Sequence, residues 1–297
     1  MRLEKRLAAP MREQMAAQRP YNVLIDEAGT SGSPHEPVGV VVAVAFPNEL
    51  IGRVYSAVTA VHDLAPTRYR NDFVFHASEL LKEHGGDYSE GWPYEDRRLM
   101  VRAMMSIPAA LRFGFVLMWS AVWRTYQVTE IPEHLRSLIS DSDMRHLIGF
   151  MNCVGTVNMY LAEKDATGVI VVEKTKRMDA RLKRVAWQLR DTPYPQQITD
   201  GRTGVESTME LKADRIIEPP SFRPKSFPLL QIADACAYGI RRYFAGDEHG
   251  QTYLDWITKD PGVKWVRQPG EHRKGGLIEW PGAPGPKVLE AFGLGQI

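Results

Sequence analysis

At 297 residues, with 44% hydrophobic and 25% charged side chains, the chain has the composition of a globular protein able to bury a sizeable core. A formal net charge of +1 rules out an overall basic coat, so any nucleic-acid face must be a local patch. Cys153 and Cys236 are the only cysteines, which excludes a disulfide framework or a CxxC metal site and fits a reducing, cytoplasmic setting; no apolar run approaches the ~18 residues of a membrane span.

Residues 1–20 carry Arg2, Lys5, Arg6 and Arg12 without an apolar h-region, so they read as an Ala-rich, partly helical arm and not as a secretory signal. Val23, Leu24 and Ile25 form a short apolar run, the length of a buried strand, that ends in Asp26 and Glu27 before Gly29, Ser31 and Gly32 turn the chain. Val38 to Phe46 is a second apolar strand, and the simplest assembly pairs the two antiparallel with Asp26 at the rim. A carboxylate closing a buried strand is costly unless neutralised. A metal ion is one answer, an Arg or Lys partner another.

Asn48 is placed to cap a helix running to about Asp63, with Leu50, Val54, Ala57, Val58 and Val61 on one face. Phe73 to Phe75 leads into FHASEL, where Ser78 is placed to cap a short helix ended by Gly85-Gly86. A helix from about Tyr94 to Ile107 precedes a third strand, Leu111 to Val122. Glu133 to Glu163 is helical, as one helix or as two hinged near Ser140. Val169 to Val172 reads as a strand buried on both faces, followed by a helix from about Met178 to Leu189. Residues 191–207 read as loop and Glu210 to Ile217 as a strand. Pro219, Pro220, Pro224 and Pro228 punctuate the approach to a last clear helix, Leu229 to Phe244. Beyond it, Lys264–Arg267 and Leu277–Trp280 are compatible with a hairpin around the basic loop His272-Arg273-Lys274.

This order predicts an α/β protein with a ribonuclease H-like mixed sheet: three antiparallel strands, then parallel strands, flanked by helices. The domain would span 21–245, with a helical insertion at about 48–108, the arm before it and an extension at 246–297. In that fold one acid sits on the first strand, one on the fourth and one on the last helix. Those places hold Asp26, Glu173 and Asp234.

IDEAGT near the start, FHASEL, the acid that ends an internal apolar strand in VVEK, and LLQIADACAYGI together resemble the family labelled domain of unknown function 3800, which is grouped with ribonuclease H-like proteins. The resemblance spans roughly 21–245 and departs at Ala28, where the family usually has Ser. It implies Glu79 of FHASEL as a fourth acid, with His76 beside it as a supporting group or proton shuttle. The ribonuclease H pattern would instead put that acid on the long helix, where Asp141 and Asp143 are nearest.

Each acid also has a purely structural reading. Asp26 precedes a turn, where Asp is common. Glu173 can be a solvated strand end, although alternation puts it on the face of Val169 and Val171. Glu79 suits a helix dipole. Asp234 lies on the shoulder of an apolar arc, and Leu230, Gln231, Ala237 and Tyr238, its neighbours one turn away, offer no basic partner. Lys174, Lys176, Arg177, Arg181 and Arg184 form a basic run after Glu173, either a solvated helix face or a set of phosphate contacts. Clustered carboxylates suit Mg2+ or Mn2+ and phosphodiester hydrolysis of DNA or RNA by a two-metal mechanism. The alternative is a ribonuclease H-like module that binds nucleic acid or protein without catalysis.

Overall fold

β1 (Pro20–Ala28) and β2 (Val38–Pro47) make the centre of the sheet, antiparallel, with Ile25 opposite Ala43 and Asp26 opposite Val42. β3 (Val116–Trp123) lies antiparallel beside β2. On the other side of β1, β4 (Thr167–Glu173) runs parallel to it, and β7 (Ser221–Arg223) runs parallel to β4. The order β7-β4-β1-β2-β3 is the expected ribonuclease H-like arrangement of an α/β protein. The structure, a computed structural model, describes residues 20–30, 36–84, 86–112, 114–125, 139–175, 177–192, 194–199, 206–258, 266–268 and 273–279. The arm up to residue 19, Gly85, the Glu133–Leu138 start of the expected long helix, Lys176 and His272 lie outside the described residues.

Strand alternation divides the core into two layers. Leu24, Val40, Val42 and Val44 face α1 (Ile51–His62), α3 (Tyr94–Met105), α4 (Ile107–Leu111), α7 (Leu230–Phe244) and α8 (Gly250–Thr258). Val23, Ile25, Val41 and Ala43 face α5 (Asp141–Glu163) and α6 (Asp179–Asp191). Small residues set the approach of the helices: Ala233, Ala235 and Ala237 of α7 are buried, and a Cβ on Gly149 of α5 would meet Val41 Cγ2 at 2.7 Å. The insertion is part of this core. Phe75, Leu80, Met100, Val101 and Met104 are fully buried, and at ~1.5–3 kcal/mol each their burial is as large as the whole net stability of an ordinary domain. No helix among the described residues is long and apolar enough to cross a membrane.

Several local readings are corrected. Asn48 opens a 3-10 turn, Asn48–Leu50, without capping α1; its Oδ1 accepts from Asn22 Nδ2 instead. Ser78 does not cap α2 (Ala77–Leu80), whose N-cap is His76, and α2 stops well before Gly86. Residues 107–111 are helical, and Arg112 and Gly114, both at positive φ, delay β3 to Val116. Ser140 caps α5, its side chain accepting from Asp143 N; what precedes it in the expected long helix lies outside the described residues. The supposed loop at 191–207 contains β5 (Tyr194–Thr199), paired with β6 (Glu206–Leu211) in a separate hairpin. The strand expected to run to Ile217 ends at Leu211, with Ile216 making a lone bridge to Gly168. The extension adds α8, and its hairpin of β8 (Val266–Gln268) and β9 (Arg273–Glu279) continues the main sheet beyond β3.

Candidate functional site

β1, β4 and β7 are parallel neighbours, so their C-terminal ends lie together, the usual place for a site in such sheets. The register pairs Ile25 with Val172, which puts Asp26 level with Glu173, and Glu173 pairs with Arg223 two residues before Lys225. Asp26 shares the parity of Leu24, and Glu173 that of Val171, so both point to the face covered by α7. Asp234, in the second turn of α7, meets them there. Lys225 Nζ lies 3.2 Å from Asp234 Oδ1 and 3.5 Å from Glu173 Oε2. Asp234 Oδ2 accepts from Ala77 N at 3.0 Å, at the start of α2, and Oδ1 lies 3.5 Å from His76 Nδ1. Gln231, one turn earlier, bonds His62 of α1 and the carbonyl of Lys225, tying the helix to the loop that carries the lysine.

Asp26 and Asp234 are driven apart by this geometry. Burial raises Asp26 well above the usual carboxylate range, and Glu27, Asp234 and Glu173 raise it further against a smaller opposing effect of Lys225. Burial would also raise Asp234, but His76, Lys225 and the Ala77 amide outweigh it and hold that acid low. Burial would lower Lys225, but Asp234, Asp26 and Glu173 push it up to about 12. Among the described residues no three acid, imidazole or thiol groups stand, as placed, close enough to hold one ion; the ammonium of Lys225 is the cation these acids share. The donors are nonetheless hard carboxylate oxygens on one face, with more negative than positive charge, which is the chemistry Mg2+ or Mn2+ requires.

The opposite face of β1 presents a second polar group. Glu27, with the parity of Ile25, points toward α5, where its Oε2 lies 3.6 Å from Nε2 of the buried His146. One turn earlier, the buried Asp143 is ion-paired with both Arg177 and Arg181. Burial and Glu173 raise Glu27 to about 7, whereas burial lowers His146 to about 4. Their linkage to folding has opposite signs. The raised Glu27 contributes stability present below about 4.5 and lost as pH rises through about 7. The lowered His146 contributes stability present above about 6.5 and lost as pH falls through about 4. Between these limits the two slopes oppose. Replacing His146 with Gln should therefore leave stability falling from pH 5 to pH 7, where the wild type is flatter. Urea unfolding at the two pH values measures it, and a flat profile in the variant would mean that Glu27 is not held protonated.

The structure brings together Asp26, Glu173, Asp234 and His76. Glu79 is taken up by an i,i+3 pair, both of its carboxylate oxygens lying 2.7 Å from Lys82 Nζ. Of the other fourth-acid candidates, Asp141 is exposed on the first turn of α5 and Asp143 belongs to the two arginines. The basic run is also divided. Arg177 precedes α6 and, with Arg181, holds Asp143; Lys174 and Arg184, exposed like them, take no part in those pairs. Three residues of the site were not anticipated: Lys225, Glu27 as a further buried carboxylate, and His146. Glu27 was visible as the second acid of IDEAG. No protein-family model matches the chain, and no curated protein matches its sequence.

Proposed function

We propose that the chain is a Mg2+- or Mn2+-dependent nuclease, a hydrolase of phosphodiester bonds in DNA or RNA, with Asp26, Glu173 and Asp234 as the residues that would hold the metal. The observation that carries this reading is the meeting of three carboxylates from β1, β4 and α7 at the C-terminal ends of parallel strands, with Lys225 as their shared counter-ion. The resemblance of IDEAGT, VVEK and LLQIADACAYGI to a ribonuclease H-like family supports it. A divalent ion bound there supplies Lewis-acid stabilisation of charge on the phosphate and lowers the pKa of an attacking water.

The chain's own residues do the rest. β1 and α7 hold two acids on rigid elements, so little reorganisation is needed when charge builds up on the phosphate. Lys225, on a flexible four-carbon stem, can turn from Glu173 toward a phosphate oxygen without leaving Asp234. His76, half-exposed beside Asp234, can carry a proton at the leaving oxygen. The test is cleavage of labelled single- and double-stranded DNA and RNA with Mn2+ and with EDTA, for the wild type and Asp26→Asn. Cleavage should need Mn2+ and fall to background in the variant. A wild type that cuts nothing would overturn the reading in favour of a non-catalytic module in which Lys225 neutralises the acids for good.

The basic run gives a separate expectation for binding. If Arg184, which is exposed and absent from the Asp143 pairs, meets a phosphate, Arg184→Gln should reduce the slope of log K against log salt by about 0.7–0.9. Arg177→Gln and Arg181→Gln should do the same only where those guanidiniums leave Asp143. Unchanged slopes in all three would assign the run to the solvated face and to holding α5.

A further inference from the structure

The loop between β7 and α7 carries more than Lys225. Two residues on, Phe227 packs edge-to-face against Tyr55 of α1, with ring centroids 6.4 Å apart, and the guanidinium of Arg223 stands 5.9 Å from the Phe227 ring. Phe227 is half-buried, but Tyr55 is exposed, alone in this among the described Phe, Tyr and Trp rings, and Arg223 is exposed beside Phe227. The loop is stiff: Pro224 and Pro228 bracket it, and Phe227 N donates to Pro224 O at 2.8 Å. α1 is fixed to the same loop through His62 and Gln231. The patch is therefore continuous with the acidic site and held in place relative to it.

We propose that Tyr55, Phe227 and Arg223 form a stacking platform for unpaired bases, so that the strand presented to the neighbouring acids is single-stranded nucleic acid. This rests on the nuclease reading for the acids but not for the platform. The exposed Tyr55 ring offers a π-face for a base, and Arg223, against the Phe227 ring that Tyr55 packs on, offers a charge for the adjoining phosphate. A duplex hides its base faces in its own stack and cannot use such a ring, whereas a single strand can. A protein partner would want a broad apolar centre depleted of charge; here the exposed ring of Tyr55 packs on Phe227, which has Arg223 against its ring and Lys225 two residues before it in the loop.

Fluorescence anisotropy in EDTA, where no cleavage competes, tests the platform with a labelled oligothymidylate, a base-free deoxyribose-phosphate oligomer of equal length and a duplex. The wild type should bind the oligothymidylate roughly 5- to 150-fold more tightly than the base-free oligomer. Tyr55→Leu, an exposed change that keeps an apolar side chain, should bring that ratio close to one without weakening the base-free oligomer. Phe227→Leu, which preserves most of the packing, should lower the ratio in the same way. Arg223→Gln should weaken both single strands alike and reduce the salt slope by about 0.7. A wild-type ratio near one, a ratio unchanged in Tyr55→Leu, a duplex bound as tightly as the single strand, or no measurable binding would each overturn the platform. A loss of stacking in Tyr55→Leu from a protein that cleaves nothing with Mn2+ would sink the nuclease reading and leave the platform standing. Mn2+-dependent cleavage without base discrimination would do the reverse.

Discussion

Replacing Lys225 with Met should lower stability in EDTA by about 2–3 kcal/mol at pH 8 and by much less at pH 5. Breaking a fully buried ion pair costs ~3–5 kcal/mol because a charge is stranded, and the 30% exposure of Lys225 reduces that figure. The pH dependence follows from the acids. Lys225, raised to about 12, is charged throughout this range, and its contribution is lost only as pH rises from about 10.5 through 12. Burial and Glu173 raise Glu27 to about 7, so near pH 5 it is protonated and needs the ammonium less, and burial and Glu27 shift Asp26 in the same direction. Mn2+ should then stabilise the variant more than the wild type, because no ammonium competes for the carboxylates. The response is RT ln(1 + [L]/Kd), about 2.7 kcal/mol at a hundredfold excess over Kd. Denaturant titrations at two pH values, with EDTA and with Mn2+, decide it. Equal losses at both pH values would mean that Lys225 acts through packing, and no metal response in either protein would remove the metal.

The layered core was legible because it is written locally. Val23 to Ile25 and Val38 to Phe46 gave two central strands, and parity alone placed Glu173 on the face of Val171. Asp234 stood out because no basic residue lies one turn from it. Lys225 did not, since it sits among prolines in a stretch with no periodicity and its partners are far away in sequence. The partner of Glu79 was in view: Lys82 stands at i+3, the spacing at which helical ion pairs form. Asn48 and Ser78 have the right residue types for caps, but Asn22 Nδ2 donates to the Asn48 side-chain Oδ1 and Asp234 accepts from the Ala77 amide, both from distant segments. β9 carries Gly275-Gly276, which breaks strand alternation, so its pairing to the edge of β3 left no local mark.

Asp26→Asn and Asp234→Asn should move stability in opposite directions, although the two acids belong to one cluster. Repulsion among carboxylates alone would make either change a relief. Asp234, however, is held by Lys225 at 3.2 Å, by the Ala77 amide at 3.0 Å and by His76 at 3.5 Å. Its carboxylate is kept below the usual range, so it contributes stability present above about 3.8 and lost as pH falls. Asn keeps an acceptor for Ala77 N but turns an ion pair into a dipole beside an ammonium, a loss of about 1.5–3 kcal/mol for a bond to a charged group. Asp26 Oδ1 accepts from the Glu27 amide at 2.9 Å, a bond an Asn oxygen can also accept, and its raised carboxylate opposes folding more as pH rises. Asp26→Asn should therefore match or exceed the wild type at pH 7.5 in EDTA, with the advantage shrinking toward pH 4, where the wild-type acid is protonated. Both variants should lose most of the stabilisation by Mn2+, each for want of one ligand. Chemical denaturation at pH 7.5 separates the cases: two losses of equal size would mean that Asp26 has an ionic partner of its own, and two gains would mean that Lys225 and Ala77 hold Asp234 only weakly against the repulsion of its neighbours.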